Sequence, residues 1–97
     1  MYDNSEDSFE IVVTICNELG LHARPAALIV KTSNQFESDV FITKVADGET
    51  VNGKSIMGVM MLAASKGTKL SLRGEGSDCE GVVKALEQVI LDKFGEE

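Results

Sequence analysis

Gly20-Leu21-His22-Ala23-Arg24-Pro25-Ala26-Ala27 is the stretch on which the reading of this chain turns. It holds the only histidine and the only proline among 97 residues. Proline disfavours helical geometry in the residue before it. It suits a first helical turn itself, because it has no N–H to leave unpaired. The chain therefore turns at Gly20 and enters a helix between His22 and Pro25. A helix start offers free backbone N–H groups and the positive end of the dipole, and both attract anions. An imidazole nitrogen beside an anion site is a good phosphoryl acceptor. A surface histidine that merely precedes a helix is the competing reading.

The flanking pattern extends outward from this turn. Upstream, Phe9, Ile11, Val13 and Ile15 alternate with Glu10, Val12, Thr14 and Cys16, which predicts a half-buried strand rich in β-branched residues. Downstream, a helix is expected over residues 23–33. Ala26, Ile29, Val30 and Ser33 recur there at helical spacing, and Asn34 is a plausible stop. Residues 40–45 read as a second strand. Asp47-Gly48 is a tight-turn signal, and residues 49–52 return as a third strand.

Residues 56–64 contain no polar side chain. Full burial of such a helix is hard in a small domain, so one face is expected to serve as a docking patch, for which flexible methionines are suited. A wholly buried core helix is the alternative. Lys66-Gly67 should end it, and residues 68–73 form a fourth strand with Leu70 and Leu72 inward. After a turn at residues 74–76, Ser77 and Glu80 form an S-x-x-E capping box. It opens a helix whose buried stripe is Val82, Val83, Leu86, Val89, Ile90 and Phe94. The order β-α-β-β-α-β-α predicts an α+β fold, a four-stranded antiparallel sheet with three helices packed on one face.

Composition sets outer bounds. A chain 43% hydrophobic at this length makes one small domain, expected over residues 9–97, behind a flexible acidic extension at 1–8. Nothing approaches the roughly 18 consecutive apolar residues of a membrane span, and the acidic start is no signal peptide, so a cytoplasmic protein without a membrane partner is expected. Cys16 and Cys79 form no C-x-x-C pair, and one histidine leaves no zinc set, so neither metal nor cofactor is expected. The net charge of −7 argues against nucleic acid. Residues 22–73 nevertheless carry seven bases against four acids, so the middle of the chain can face an acidic partner or a phosphate. A solvated charge pattern without function is the alternative.

Gly48-Glu49-Thr50-Val51-Asn52-Gly53-Lys54-Ser55 matches the Walker A phosphate-binding pattern. A small P-loop-like nucleotide-binding protein is thus the alternative function. Three features oppose it: residues 49–52 read as strand, no second magnesium-binding aspartate follows an apolar strand, and little room remains for a parallel sheet.

Taken together, Gly20-Leu21-His22-Ala23-Arg24-Pro25-Ala26, Asn52-Gly53-Lys54-Ser55-Ile56-Met57-Gly58-Val59-Met60 and Ala64-Ser65-Lys66-Gly67 resemble the histidine-containing phosphocarrier family, HPr, of the bacterial phosphotransferase system. The resemblance covers residues 9–94 and implies an open-faced sandwich. It implies that His22 accepts a phosphoryl group on Nδ1 from phosphoenolpyruvate-dependent Enzyme I and passes it to IIA-type domains. The chain would then be a phosphoryl-transfer intermediate and a monomer, not a free-standing enzyme. Arg24 would neutralise the phosphate, which would sit on the amides of Ala23 and Arg24 at the Pro25 turn. Ala27, Ile56, Met57 and Met60 would be docking contacts. Ser55 stands where many members carry a regulatory serine served by a dedicated kinase; capping the second helix is its plainer role.

Overall fold

Alternating β-branched residues give β1 (Ser8–Thr14), which starts one residue before the expected strand. The computed structural model describes residues 7–96. The greater part of the acidic extension expected at 1–8 therefore lies outside the described residues. The chain continues through α1 (Ala23–Ser33), β2 (Asp39–Lys44), β3 (Glu49–Asn52), α2 (Ile56–Met61), β4 (Lys69–Glu75) and α3 (Cys79–Leu91). The strands form one antiparallel sheet in the order β1-β4-β2-β3.

The register explains why this order is stable. Leu72 of β4 lies opposite Ile11 on one side and Ile42 on the other, and Leu70 lies opposite Val13. Their shared face carries the core, where Leu70, Leu72, Ile42 and Val40 meet Ile29 of α1, Val59 of α2, and Val82, Val83, Leu86 and Ile90 of α3. All three helices cover that face, as the pattern of apolar residues predicts. The opposite face is mostly polar, with Thr43 bonded to Thr50 and Arg73 paired with Glu75, and it also carries Val12 and Phe41.

Two local expectations are corrected. The capping box at Ser77 and Glu80 does not form, because the residue that caps α3 is Asp78. Its carboxylate turns away to accept from the Ser38 hydroxyl and from the amides of Glu37 and Ser38, while Asp78 N donates to Ser38 Oγ. A clamp between distant segments thus displaces the local cap. The Ser38 hydroxyl, with the Glu37 amide next, holds the Asp78 carboxyl below its ordinary value.

The second correction concerns α2, which ends at Met61 rather than running to Lys66-Gly67. Ala63 takes φ of 49°, a left-handed conformation that glycine adopts without strain. A left-handed alanine costs about 1–2 kcal/mol, whereas glycine adds about 0.5–1 kcal/mol of unfolded-state entropy. Ala63→Gly is therefore expected to stabilise the fold by about 0.5–1 kcal/mol, read as a rise in the urea midpoint at unchanged slope.

Candidate functional site

Gly20 governs how the histidine loop sits. Its φ is +67°, and a Cβ there would lie 2.5 Å from Ala64 O, so both conformation and space require glycine. Leu21 N donates to the same carbonyl at 2.8 Å. The loop is thereby tied to the segment that follows α2.

His22 is the capping residue of α1, in extended geometry, and its side chain makes no cap hydrogen bond. The first helical hydrogen bond runs from Ala26 N to His22 O, at 3.0 Å. Helix geometry therefore leaves the amides of Ala23 and Arg24 without an intrahelical partner, and Pro25 has no amide to leave unpaired. The imidazole is instead turned toward the end of the chain. Its Nε2 lies 2.7 Å from Glu96 Oε2, with the two side chains 39% and 14% exposed. The other oxygen, Glu96 Oε1, accepts from Asn17 Nδ2 at 2.9 Å. Asn17 is fully buried and donates also to Gly20 O, at 3.0 Å. Both partners of this nitrogen are acceptors, which assigns the amide orientation of Asn17.

Arg24 and Ala27 are exposed on the first turns of α1. With Leu28, Lys31 and Phe94 they line a shallow groove of about 310 Å³. His22, Ala23, Arg24, Pro25 and Ala27 thus share one helix start, as the spacing implies. Neither Asn17 nor Glu96 was singled out by the sequence reading. Asn17 had the weak signal of a polar residue in the turn before Gly20, whereas Glu96 had none.

On α2, Val59 is fully buried, as is Leu62 just beyond its end, whereas Met57 is 72% and Met60 41% exposed. Ile56 and Met61 are exposed too. The apolar run therefore divides into a core face and an open face. Ser55 caps the helix, its Oγ accepting from Gly58 N at 3.1 Å. The Walker-like stretch does not wrap a ligand site: its middle is β3, paired with β2, and Lys54 Nζ donates to Phe36 O at 2.8 Å.

Among the described residues, no group of three or more His, Cys, Asp or Glu side chains is placed to hold a metal ion. No helix there is long and apolar enough to cross a membrane.

An imidazole on the surface, beside unpaired amides and an arginine, defines a site where a nucleophile can hold a small anion without a pocket. Comparison with known proteins makes that class specific. Residues 9–92 match the family model for the PTS HPr component phosphorylation site. The phosphocarrier protein HPr of Neisseria meningitidis serogroup A is 48% identical over 84 residues, covering 87% of this chain and 92% of that protein. The multiphosphoryl transfer protein of Escherichia coli O157:H7 is 37% identical over 93 residues, 95% of this chain and 25% of that protein. The crystal structure of HPr-C-His from Thermoanaerobacter tengcongensis superposes with a TM-score of 0.86 at 48% identity, covering 92% of this chain and 98% of that one. The chain belongs to the HPr family, the phosphocarriers of the phosphotransferase system.

Proposed function

We propose that this chain carries a phosphoryl group on His22, taken from Enzyme I charged by phosphoenolpyruvate and passed to IIA-type domains in the cytoplasm. The observation that carries this reading is the position of His22. Its ring is partly exposed at the start of α1, where the amides of Ala23 and Arg24 have no helical partner. A neutral imidazole attacks phosphorus, and the product is an anion that the helix start and the Arg24 guanidinium stabilise. An open site suits a relay, because donor and acceptor proteins bring the remaining groups. The relationship to a multiphosphoryl transfer protein, in which an HPr-like segment is part of a longer chain, supports such partners. Incubation of the chain with Enzyme I and phosphoenolpyruvate should give one acid-labile, base-stable phosphate per molecule. Absence of that label refutes the proposal.

The open face of α2 with Ala27 is the proposed docking surface, through Ile56, Met57 and Met60. Met57→Glu places a charge where an apolar partner surface would cover it, while in the free protein the side chain already faces water. It is expected to weaken Enzyme I binding by about 1–2 kcal/mol, read by titration calorimetry, and to change folding stability by less than about 0.5 kcal/mol. Ser55, next to this face, is the proposed regulatory phosphorylation site.

A further inference from the structure

We propose that Met57, Met60 and Met61 form a reversible oxidation site, at which conversion of the thioethers to sulfoxides weakens docking of Enzyme I. The inference rests on the open face of α2 being the surface that Enzyme I covers. The chain has four methionines, and the three beyond Met1 all fall in α2. Spacings of three and four residues from Met57 put Met60 and Met61 on its side of the helix. Met57 and Met61 are 72% and 67% exposed and Met60 41%, so all three side chains are open to a small solute in water.

This placement favours reaction here over the other sulfur sites. Cys16 and Cys79 are half-buried, and Cys16 Sγ donates to Ile90 O at 3.4 Å. An exposed, polarizable thioether reacts readily, whereas packing shields a sulfur from the oxidant. The same placement keeps the change off the core. Val59 and Leu62 carry the packing of this segment, and neither contains sulfur. Met57 and Met61 already face water, so an added oxygen displaces no packed neighbour. A partner meets a different surface. Each sulfoxide sets a strong acceptor into an apolar contact, and its desolvation is unfavourable wherever the partner offers no donor. Ile56 is left unchanged, so the patch is weakened rather than abolished.

The oxidant is a hydroperoxide, of which hydrogen peroxide is the simplest. A sulfur lone pair attacks one peroxide oxygen, and the O–O bond breaks with its electron pair going to the other oxygen. The hydroxide so released takes the proton from the new S–OH group, which leaves water and a sulfoxide. Sulfur loses two electrons and the peroxide gains them. In the reverse step a dithiol supplies two electrons, the sulfoxide oxygen departs as water, and a disulfide forms. Sulfoxide reductases, one type for each epimer, carry out this reversal. His22 takes no part in either direction. Its phosphoryl chemistry should therefore be intact once the donor is bound.

The test uses the full chain, treated with hydrogen peroxide until peptide mass spectrometry shows a sulfoxide at residues 57, 60 and 61. The KM of the oxidised chain as a substrate of phosphorylated Enzyme I should rise on the order of tenfold, with the maximal rate within about twofold of native. Dithiothreitol alone should leave the raised KM in place, because it reduces disulfides and sulfenic acids but not sulfoxides. Dithiothreitol with both types of sulfoxide reductase should restore the native KM. A urea titration of the oxidised chain should keep its cooperative transition. Four results overturn the inference: methionines left unoxidised at a dose that converts free methionine, a KM within about twofold of native at full oxidation, rescue by dithiothreitol alone, or loss of the cooperative transition. Each of them leaves the carrier reading intact, since the untreated chain still takes up phosphate. Enzyme I binding that Met57→Glu does not weaken overturns the docking reading and, with it, this inference.

Discussion

His22→Ala is expected to take up no phosphate from Enzyme I and phosphoenolpyruvate while folding like the native chain. The two halves of this expectation have separate causes. Removing the imidazole removes the nucleophile, and no neighbouring group on the first turn of α1 can replace it. Ala23 and Pro25 have no nucleophilic side-chain atom, and the guanidinium of Arg24 offers only N–H donors. Cys16 is no substitute either, since its thiol faces Ile90 O at 3.4 Å. The fold should survive because the ring is 39% exposed and caps no amide. What is lost is one hydrogen bond to Glu96, worth about 1 kcal/mol for a partly exposed pair. The check is a time course of labelled phosphate incorporation alongside a urea titration. Label at the native rate would move the acceptor elsewhere. Loss of label together with loss of the cooperative transition would show that the variant is unfolded rather than disarmed.

How far the site was legible before the structure depends on the range of each contact. The start of α1 and the β2–β3 hairpin follow from neighbours in sequence: Pro25 sets the helix entry, and Asp47-Gly48 sets the turn. α1 and β3 keep the expected bounds, residues 23–33 and 49–52, whereas β2 falls at 39–44 instead of 40–45. The end of α2 was misplaced because an unbroken apolar run carries no stop signal, and the left-handed residue that ends it is alanine rather than glycine. The cap of α3 was misplaced because Ser38, 40 residues away, satisfies the Asp78 amide. Phe94 belongs to the core as expected, but it lies in the left-handed turn beyond α3, not on that helix. Glu96 reaches Asn17 across 79 positions and His22 across 74. No periodicity or cap rule links residues so far apart, so the part of the site contributed by the chain end was invisible to sequence.

Ser55→Asp is expected to slow His22 phosphorylation by Enzyme I roughly ten- to a hundredfold, with the protein folded. The serine caps α2 through Gly58 N, so an anion at this position meets the unpaired amides of a helix start, which tolerate negative charge. Lys54, the adjacent base, is turned to Phe36 O. The partner surface is affected differently. Ile56 and Met57 follow directly and are exposed, so a charge at residue 55 borders the apolar patch proposed to receive Enzyme I. A phosphate brings about −1.5 to −2 charge, and an aspartate brings part of it. Desolvating that charge, or setting it against acidic partner groups, should cost on the order of 1–3 kcal/mol of association. Ser55→Ala separates the cap from the charge: it loses the bond to Gly58 and about 1 kcal/mol of stability, yet should accept phosphate at the native rate. Initial rates at subsaturating concentrations of the native chain and both variants decide the matter. Equal rates for the native chain and Ser55→Asp would leave Ser55 a helix cap without a regulatory role.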